Sequence, residues 1–492
     1  SLRCQVVGEG ANLGLTQAAR IAFAKRGGHV NSDAIDNSAG VDSSDHEVNI
    51  KILTGMVERA GDLSRPDRDA LLRAMVDDVA RHVLEHNYDQ TQALSLLEMD
   101  APGELEPHAR FMNWLESMGR LDRVVEGLPD AAAIAERAEA GEGLTRPELA
   151  VLMAYGKIQL FREMVETDVP DDPWFEGVLE GYFPAPLKRF AEPMRRHRLR
   201  REIIATVVAN DVVNRCGPSF ASRLMAAAGA DARAFFVGYE AARAVLDLAR
   251  LWEEVEGLDN QIPARAQLLL LRQLARHQRG LTFWMARRAR RGDVGVSDLV
   301  ERYAAPARTL KDLGPEVLSP VERADLDRMA ERLVEAGAPG ALARAVVDLQ
   351  PLTIAADLAD LAEASEWPVD AVARLHHAVG EAFAFDRLRA AAGGHAAGDS
   401  FERAATRRLI EDLMVEQTAV ARAVMAKAKG PEAARDKASA AKAVEAWAKR
   451  VAQPVEAARR VIAEIEAAPG SWTFAKLTIA NGALRELARA AD

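Results

Sequence analysis

The chain has 492 residues, 49% of them hydrophobic and 28% charged, so it is too long for one compact core and too apolar for wholesale disorder. A net charge of −11 argues against a dedicated nucleic-acid binder, and no run of about 18 apolar residues is present to span a bilayer. Aromatic residues make up only 5% while Ala, Leu, Glu and Arg abound, a mixture that favours helix over strand.

Residues 3–8 read as a short strand, and Val30 to Ile35 as a second extended piece. Between them, Thr16 to Arg26 has helical spacing closed by Gly27-Gly28. The segment Asn37 to Glu47 reads as a polar turn, with Ser43, Ser44 or Asp45 capping a helix whose face carries Val48, Ile52, Leu53, Met56 and Val57. Gly61-Asp62 breaks that helix. Ser64, with Pro66 behind it, starts the next. Asn87-Tyr88 reads as a stop, after which Asp89 to Glu98 restarts as helix, and two weaker helices lie around Met112 to Met118 and Asp130 to Ala140. Thr145-Arg146-Pro147-Glu148 is a capping box. Pro170 to Pro186 predicts a bend, and Glu202 to Arg215 an apolar helix stopped by Gly217-Pro218. Helices continue to about residue 390, and Gly393-Gly394-His395 begins a short flexible stretch. Residues 401–468 form long, charged, Ala-rich helices broken at Gly430-Pro431 and Pro454.

Cys4 and Cys216 form no disulfide or metal framework, which points to a reducing cytoplasm. The N-terminus carries no basic-then-apolar signal and no initiator Met, so the chain is expected to begin inside a domain of something longer.

An apolar strand ending in Gly8-x-Gly10 suits a backbone that bends sharply and approaches a ligand. The pattern misses the dinucleotide fingerprint by one residue, since its third glycine is Gly14, and a structural turn is the default reading. Asn12 and Ser44 offer neutral hydrogen-bonding groups at strand ends, where open α/β sheets bind ligands. His82 and His86 lie one helical turn apart, but no third metal ligand stands out, and a solvated face is preferred, so no metal is expected. The clusters Arg195-Arg196-His197-Arg198 with Arg200-Arg201, and Arg287-Arg288 with Arg290-Arg291, read as helix faces paired with carboxylates rather than phosphate grips.

Val7-Gly8-Glu9-Gly10-Ala11-Asn12 and Asn37-Ser38-Ala39-Gly40-Val41 through Ser44 and Glu47 resemble glutamate dehydrogenase, with Ser38 for the family's usual Ala and Ala39 for the first Gly of its pair. The blocks Asn12 to Gln17, Gly40 to Lys51, Asn87 to Ser95, Gly143 to Leu149 and Met194 to Leu199 narrow the resemblance to the very large bacterial NAD-specific enzymes. It covers nearly the whole chain and becomes diffuse beyond about residue 300. The resemblance implies that Gly10, Ala11 and Asn12 lie beside the nicotinamide end of NAD. Asn37 would sit at the junction of cofactor and substrate, and Ser44 would hydrogen-bond a carboxylate of L-glutamate or 2-oxoglutarate. No residue of this chain is assigned as catalytic, because the family's substrate lysines, catalytic Asp and phosphate-cradling glycine loop belong to an upstream N-terminal part of the same polypeptide. The implied fold is mostly α. Residues 1–100 would be a Rossmann-like α/β remnant of the NAD-binding catalytic domain, 101–140 a helical connector and 141–492 an all-helical domain. The expected protein is a cytoplasmic homo-oligomer, inactive as this chain alone, that binds neither nucleic acid nor membrane. The alternative is a helical oligomerisation or regulatory module with no chemistry of its own.

Overall fold

A computed structural model of the chain describes every residue except 1, 291, 293, 396–399, 469, 471 and 492. It is mostly helical, as expected, and divides into two compact units. The first comprises Ser1–Ala242 with Gln278–Leu299, the second Arg243–His277 with Val300–Asp492. Among the described residues no helix is long and apolar enough to cross a membrane.

The first unit opens with β1 (Val6–Val7), α1 (Gln17–Ala24) and β2 (His29–Val30). The strands pair in parallel, Val6 opposite His29 and Val7 opposite Val30, which demands a crossover that α1 supplies. Thr16 starts α1 by accepting the Ala19 N–H at 3.2 Å. Both expected strands are shortened to two residues. The second ends at Val30 because Ser32 and Asp33 favour a helix start: Asp33 Oδ1 accepts the Ala34 N–H at 2.9 Å and opens the four-residue α2 (Asp33–Asp36).

The larger correction concerns Asn37 to Glu47. This segment is not a turn; α3 (Ser38–Ala60) begins at Ser38 and runs unbroken to Gly61, whose φ of +85° closes it in the left-handed conformation. Its polar residues are recruited by tertiary bonds. The Asn87 Nδ2 donates to the Ile35 carbonyl at 2.7 Å and to Ser38 Oγ at 2.9 Å, pinning the α2–α3 junction.

Next come α4 (Arg65–Ala74), capped by Ser64 as expected, and α5 (Val76–Ser117). The expected stop at Asn87-Tyr88 is absent, since Asn87 serves as a tertiary donor from within one helix of 42 residues. That helix continues through Pro102 and Pro107. After α6 (Arg123–Glu126) and α7 (Ala131–Ala140), the predicted capping box at Thr145 opens α8 (Arg146–Val165). The helix Arg200–Cys216 packs along α8, burying Ile203, Ile204, Val208, Val212 and Val213.

In the second unit, Ser400–Lys427 and Ala452–Ala467 both pack on Phe474–Ala491, and Val369–Ala382 packs on Lys437–Arg450. Phe383 meets Trp447 edge-on at 5.9 Å between ring centroids. The break expected at Pro454 falls instead at Val451, leaving Pro454 in a first helical turn, where its missing N–H is tolerated. The flexible stretch expected after His395 lies, over 396–399, outside the described residues.

Candidate functional site

The turn after β1 is held by ionic and backbone bonds. Glu9 and Arg20 are both buried and paired, with Arg20 Nη2 at 3.0 Å from Glu9 Oε1 and 3.1 Å from Asp33 Oδ1. The remaining lone pairs of these carboxylates take backbone donors: Glu9 Oε1 accepts the Leu15 N–H at 2.9 Å, and Asp33 Oδ2 accepts the Leu13 N–H at 2.8 Å. Asp36 accepts the Glu9 N–H at 2.8 Å and the Asn31 side chain at 2.6 Å. Burial opposes ionisation of Asp33, yet the Leu13 N–H and Arg20 outweigh it and lower its pKa. Arg20 is raised, chiefly by its hydrogen bond to Glu9. These charges hold Leu13 at φ +58°, 83% exposed, in a conformation that a Leu adopts only when its surroundings fix it.

That scaffold brings the two sequence-predicted motifs together. Asn37 Nδ2 donates to Asn12 Oδ1 at 2.6 Å, joining the turn to the start of α3. Asn37, Val41 and Ser44 follow the i, i+4, i+7 spacing of one helix face. Gly10, Ala11, Asn12 and Ser44 are exposed and Asn37 is half-buried. A Cβ built on Gly8 or Gly10 meets no atom within 4 Å, so the turn has open space beside it. A cavity of about 550 Å³ in the same unit is lined by Arg20, Asp33, Arg120, Tyr155 and Arg162, and the five predicted site residues are not in its wall. Sequence reading missed Glu9, Arg20, Asp33 and Asp36 as the groups that shape the turn. The available signal was a lone acid between two glycines and a pair of aspartates three residues apart.

The opposite side of α3 carries His46, fully buried and stacked on Tyr182 at 4.5 Å between ring centroids. Burial holds His46 down to about 4 and pushes Tyr182 up to about 12. His86, read as part of a solvated face with His82, instead bonds Asp42: its Nδ1 lies 2.8 Å from Oδ2. Burial opposes its protonation, but that hydrogen bond raises its pKa.

The first basic cluster is paired with acids, whereas in the second Arg287 lies over the Phe283 and Trp284 rings and Arg288 donates to the Trp284 carbonyl. Arg195 meets Glu176 at 2.8 Å and Glu192 at 3.3 Å, and Arg200 and Arg201 both meet Asp171. Arg290 donates to the Ala228 carbonyl, and Arg291 lies outside the described residues.

Residues 141–486 match the family "Glutamate dehydrogenase, C-terminal", and residues 1–97 match "Bacterial NAD-glutamate dehydrogenase, catalytic domain". The NAD-specific glutamate dehydrogenase of Pseudomonas aeruginosa is 37% identical over all 492 residues, which cover 30% of that protein. That of Halomonas elongata is 40% identical over 77% of this chain and 23% of its own length. The Mycobacterium tuberculosis protein of the same name is 36% identical over 70% of this chain and 21% of its own length. The chain thus spans less than a third of each of these relatives. The two matches together span most of the chain, and the chain belongs to the bacterial NAD-glutamate dehydrogenase family.

Proposed function

We propose that this chain is part of an NAD-dependent glutamate dehydrogenase that interconverts L-glutamate, NAD and water with 2-oxoglutarate, ammonia and NADH. The observation that carries this reading is the bond between Asn12 and Asn37, which unites two motifs 25 residues apart on one exposed face. Open space beside Gly8 and Gly10 fits close approach of a cofactor to backbone. Bound NAD supplies the hydride acceptor. Gly10 and Ala11 line its nicotinamide end. Asn12, its Oδ1 taken by Asn37, presents its NH2 group as a donor, while Asn37 stands between cofactor and substrate. Ser44 donates its hydroxyl to a substrate carboxylate. Neutral donors orient a dianion without adding a competing charge near the reacting carbon.

The family matches, ending at 97 and resuming at 141, support a division into the end of a Rossmann-like catalytic domain (1–100), a connector (101–140) and a C-terminal helical domain (141–492). The short parallel β1–α1–β2 unit supports the Rossmann assignment. A cytoplasmic setting accords with two free cysteines, of which Cys216 is buried with its thiol pushed up to about 12. A homo-oligomer is proposed with it.

The test measures NADH formation from glutamate. This chain alone is expected to be inert, and the chain joined to the upstream sequence of such an enzyme active. In that active protein Ser44→Ala is expected to raise KM for glutamate roughly 10- to 150-fold, the value of about 1.5–3 kcal/mol for a hydrogen bond to a charged group, with mass and melting unchanged. An inert extended protein, or an unmoved KM, overturns the assignment.

A second reading, a regulatory helical module, is favoured by a cavity of about 1530 Å³ in the second unit, whose wall mixes Arg265, Arg332 and Arg407 with the acids Glu322, Asp325 and Glu335. Guanidinium groups on that scale suit a carboxylate or phosphate ligand. Citrate and inorganic phosphate, titrated calorimetrically into the chain, are expected to bind it, and Arg407→Ala to weaken them severalfold. Equal heats from both proteins would remove the basis for this reading.

A further inference from the structure

Asp42 and His46 stand one turn apart on α3 and face His86 on α5. His46 Nε2 lies 3.8 Å from Asp42 Oδ1, and His86 Nδ1 lies 2.8 Å from Asp42 Oδ2. One ligand atom from each residue falls within 4.8 Å of the other two. His46 has no exposed surface, and neither of its ring nitrogens has a hydrogen-bond partner. Two unmade bonds on a buried imidazole are costly, so the orphaned Nε2 beside a carboxylate calls for a ligand. The ring is also fixed in place. Tyr182 stacks on it, its hydroxyl accepting from Asn49 Nδ2 at 2.9 Å, and the His82 and His86 rings lie at 5.6 and 5.7 Å.

We propose that Asp42, His46 and His86 bind a divalent transition-metal ion, zinc by preference, with one coordination position left open. Two imidazoles and one carboxylate suit zinc or cobalt, whereas magnesium and calcium require oxygen ligands throughout. Metal–ligand bonds of about 2.0–2.2 Å in a tetrahedron place ligand atoms about 3.4 Å apart. The observed 2.8 and 3.8 Å separations, which run to the two different Asp42 oxygens, lie either side of that spacing, and the three donor atoms together spread over at most 4.8 Å. Closing the set needs rotation of Asp42 and of His86, whose side chain is 43% exposed, while buried His46 stays put. The ion ties α3 to α5 on the face of α3 opposite Ser44. The site stands on its own geometry, independent of whether Asn12, Asn37 and Ser44 bind cofactor and substrate.

The test treats the 492-residue chain with chelator and then titrates it with Zn²⁺ by calorimetry, with Co²⁺ followed by visible absorption and Mg²⁺ as control. One Zn²⁺ per chain, a tetrahedral Co²⁺ spectrum and a rise in melting temperature are expected, with no response to Mg²⁺. His86→Ala and Asp42→Asn, each altering a residue with some exposure, are expected to weaken Zn²⁺ at least 10-fold while the metal-free proteins keep the parent's circular dichroism. Zn²⁺ binding that is absent, or equal in parent and both variants, overturns the proposal. So does a Co²⁺ spectrum unchanged from the aqueous ion.

Discussion

Glu148→Ala is expected to lower the unfolding free energy of the first unit by about 3–5 kcal/mol, the range for removing one partner of a buried ion pair. Glu148 is 1% exposed and grips Arg137 with both oxygens, at 2.7 and 2.8 Å. Its Oε2 also accepts the Thr145 N–H and hydroxyl, each at 2.7 Å, so it caps α8 as well. The substitution strands a buried guanidinium and exposes the helix start together, a combined loss worth roughly 10 °C in melting temperature for a unit of this size. Urea unfolding measures it. Adding Arg137→Met to Glu148→Ala should restore part of the loss, because the cost lies in the stranded charge rather than in the missing attraction. A drop below about 1 kcal/mol in the single variant would show the pair to be solvated.

Acid is expected to destabilise both units between about pH 6.5 and pH 4. Burial holds the imidazoles of His108, in the first unit, and His277, in the second, down to about 4. Around His108, Glu104 works against that shift and Arg223 adds to it. The unfolded chain takes up a proton near pH 6.5 and the folded chain does not, so stability is fully present above that pH and falls as pH drops toward 4. A shift of that size corresponds to about 3 kcal/mol per histidine. Glu163 and Glu416, raised by burial, act in the opposite sense and blunt the lower end of the window. Denaturant melts across this range test it. His108→Gln should flatten the slope for the first unit alone, and an unchanged slope would remove His108 from the explanation.

What was legible in the sequence was local. Thr16, Ser64 and Thr145 start helices, and Gly61 and Gly217 end them, because caps act within four residues of themselves. Asn37 to Glu47 was misread because its helix is secured by Asn87, half a hundred residues away in sequence, and no local pattern records such a bond. The same divide runs through the site. Asn12 and Asn37 announce themselves by motif, whereas the Glu9–Arg20–Asp33 network and the Asp42–His86 contact join residues whose spacing carries no period.

The continuity of α5 has a mechanical result. Its 42 residues run about 63 Å along the helix, and Asn87, which anchors the α2–α3 junction, lies about 37 Å along it from Met112, buried in close packing. Pro102 and Pro107 fall between those two points, and each removes a backbone hydrogen bond and favours a kink, so the span carries two places able to flex. A shift at the junction that seats Asn37 is therefore taken up first around the two prolines, before it reaches the packing of Phe111 and Leu115.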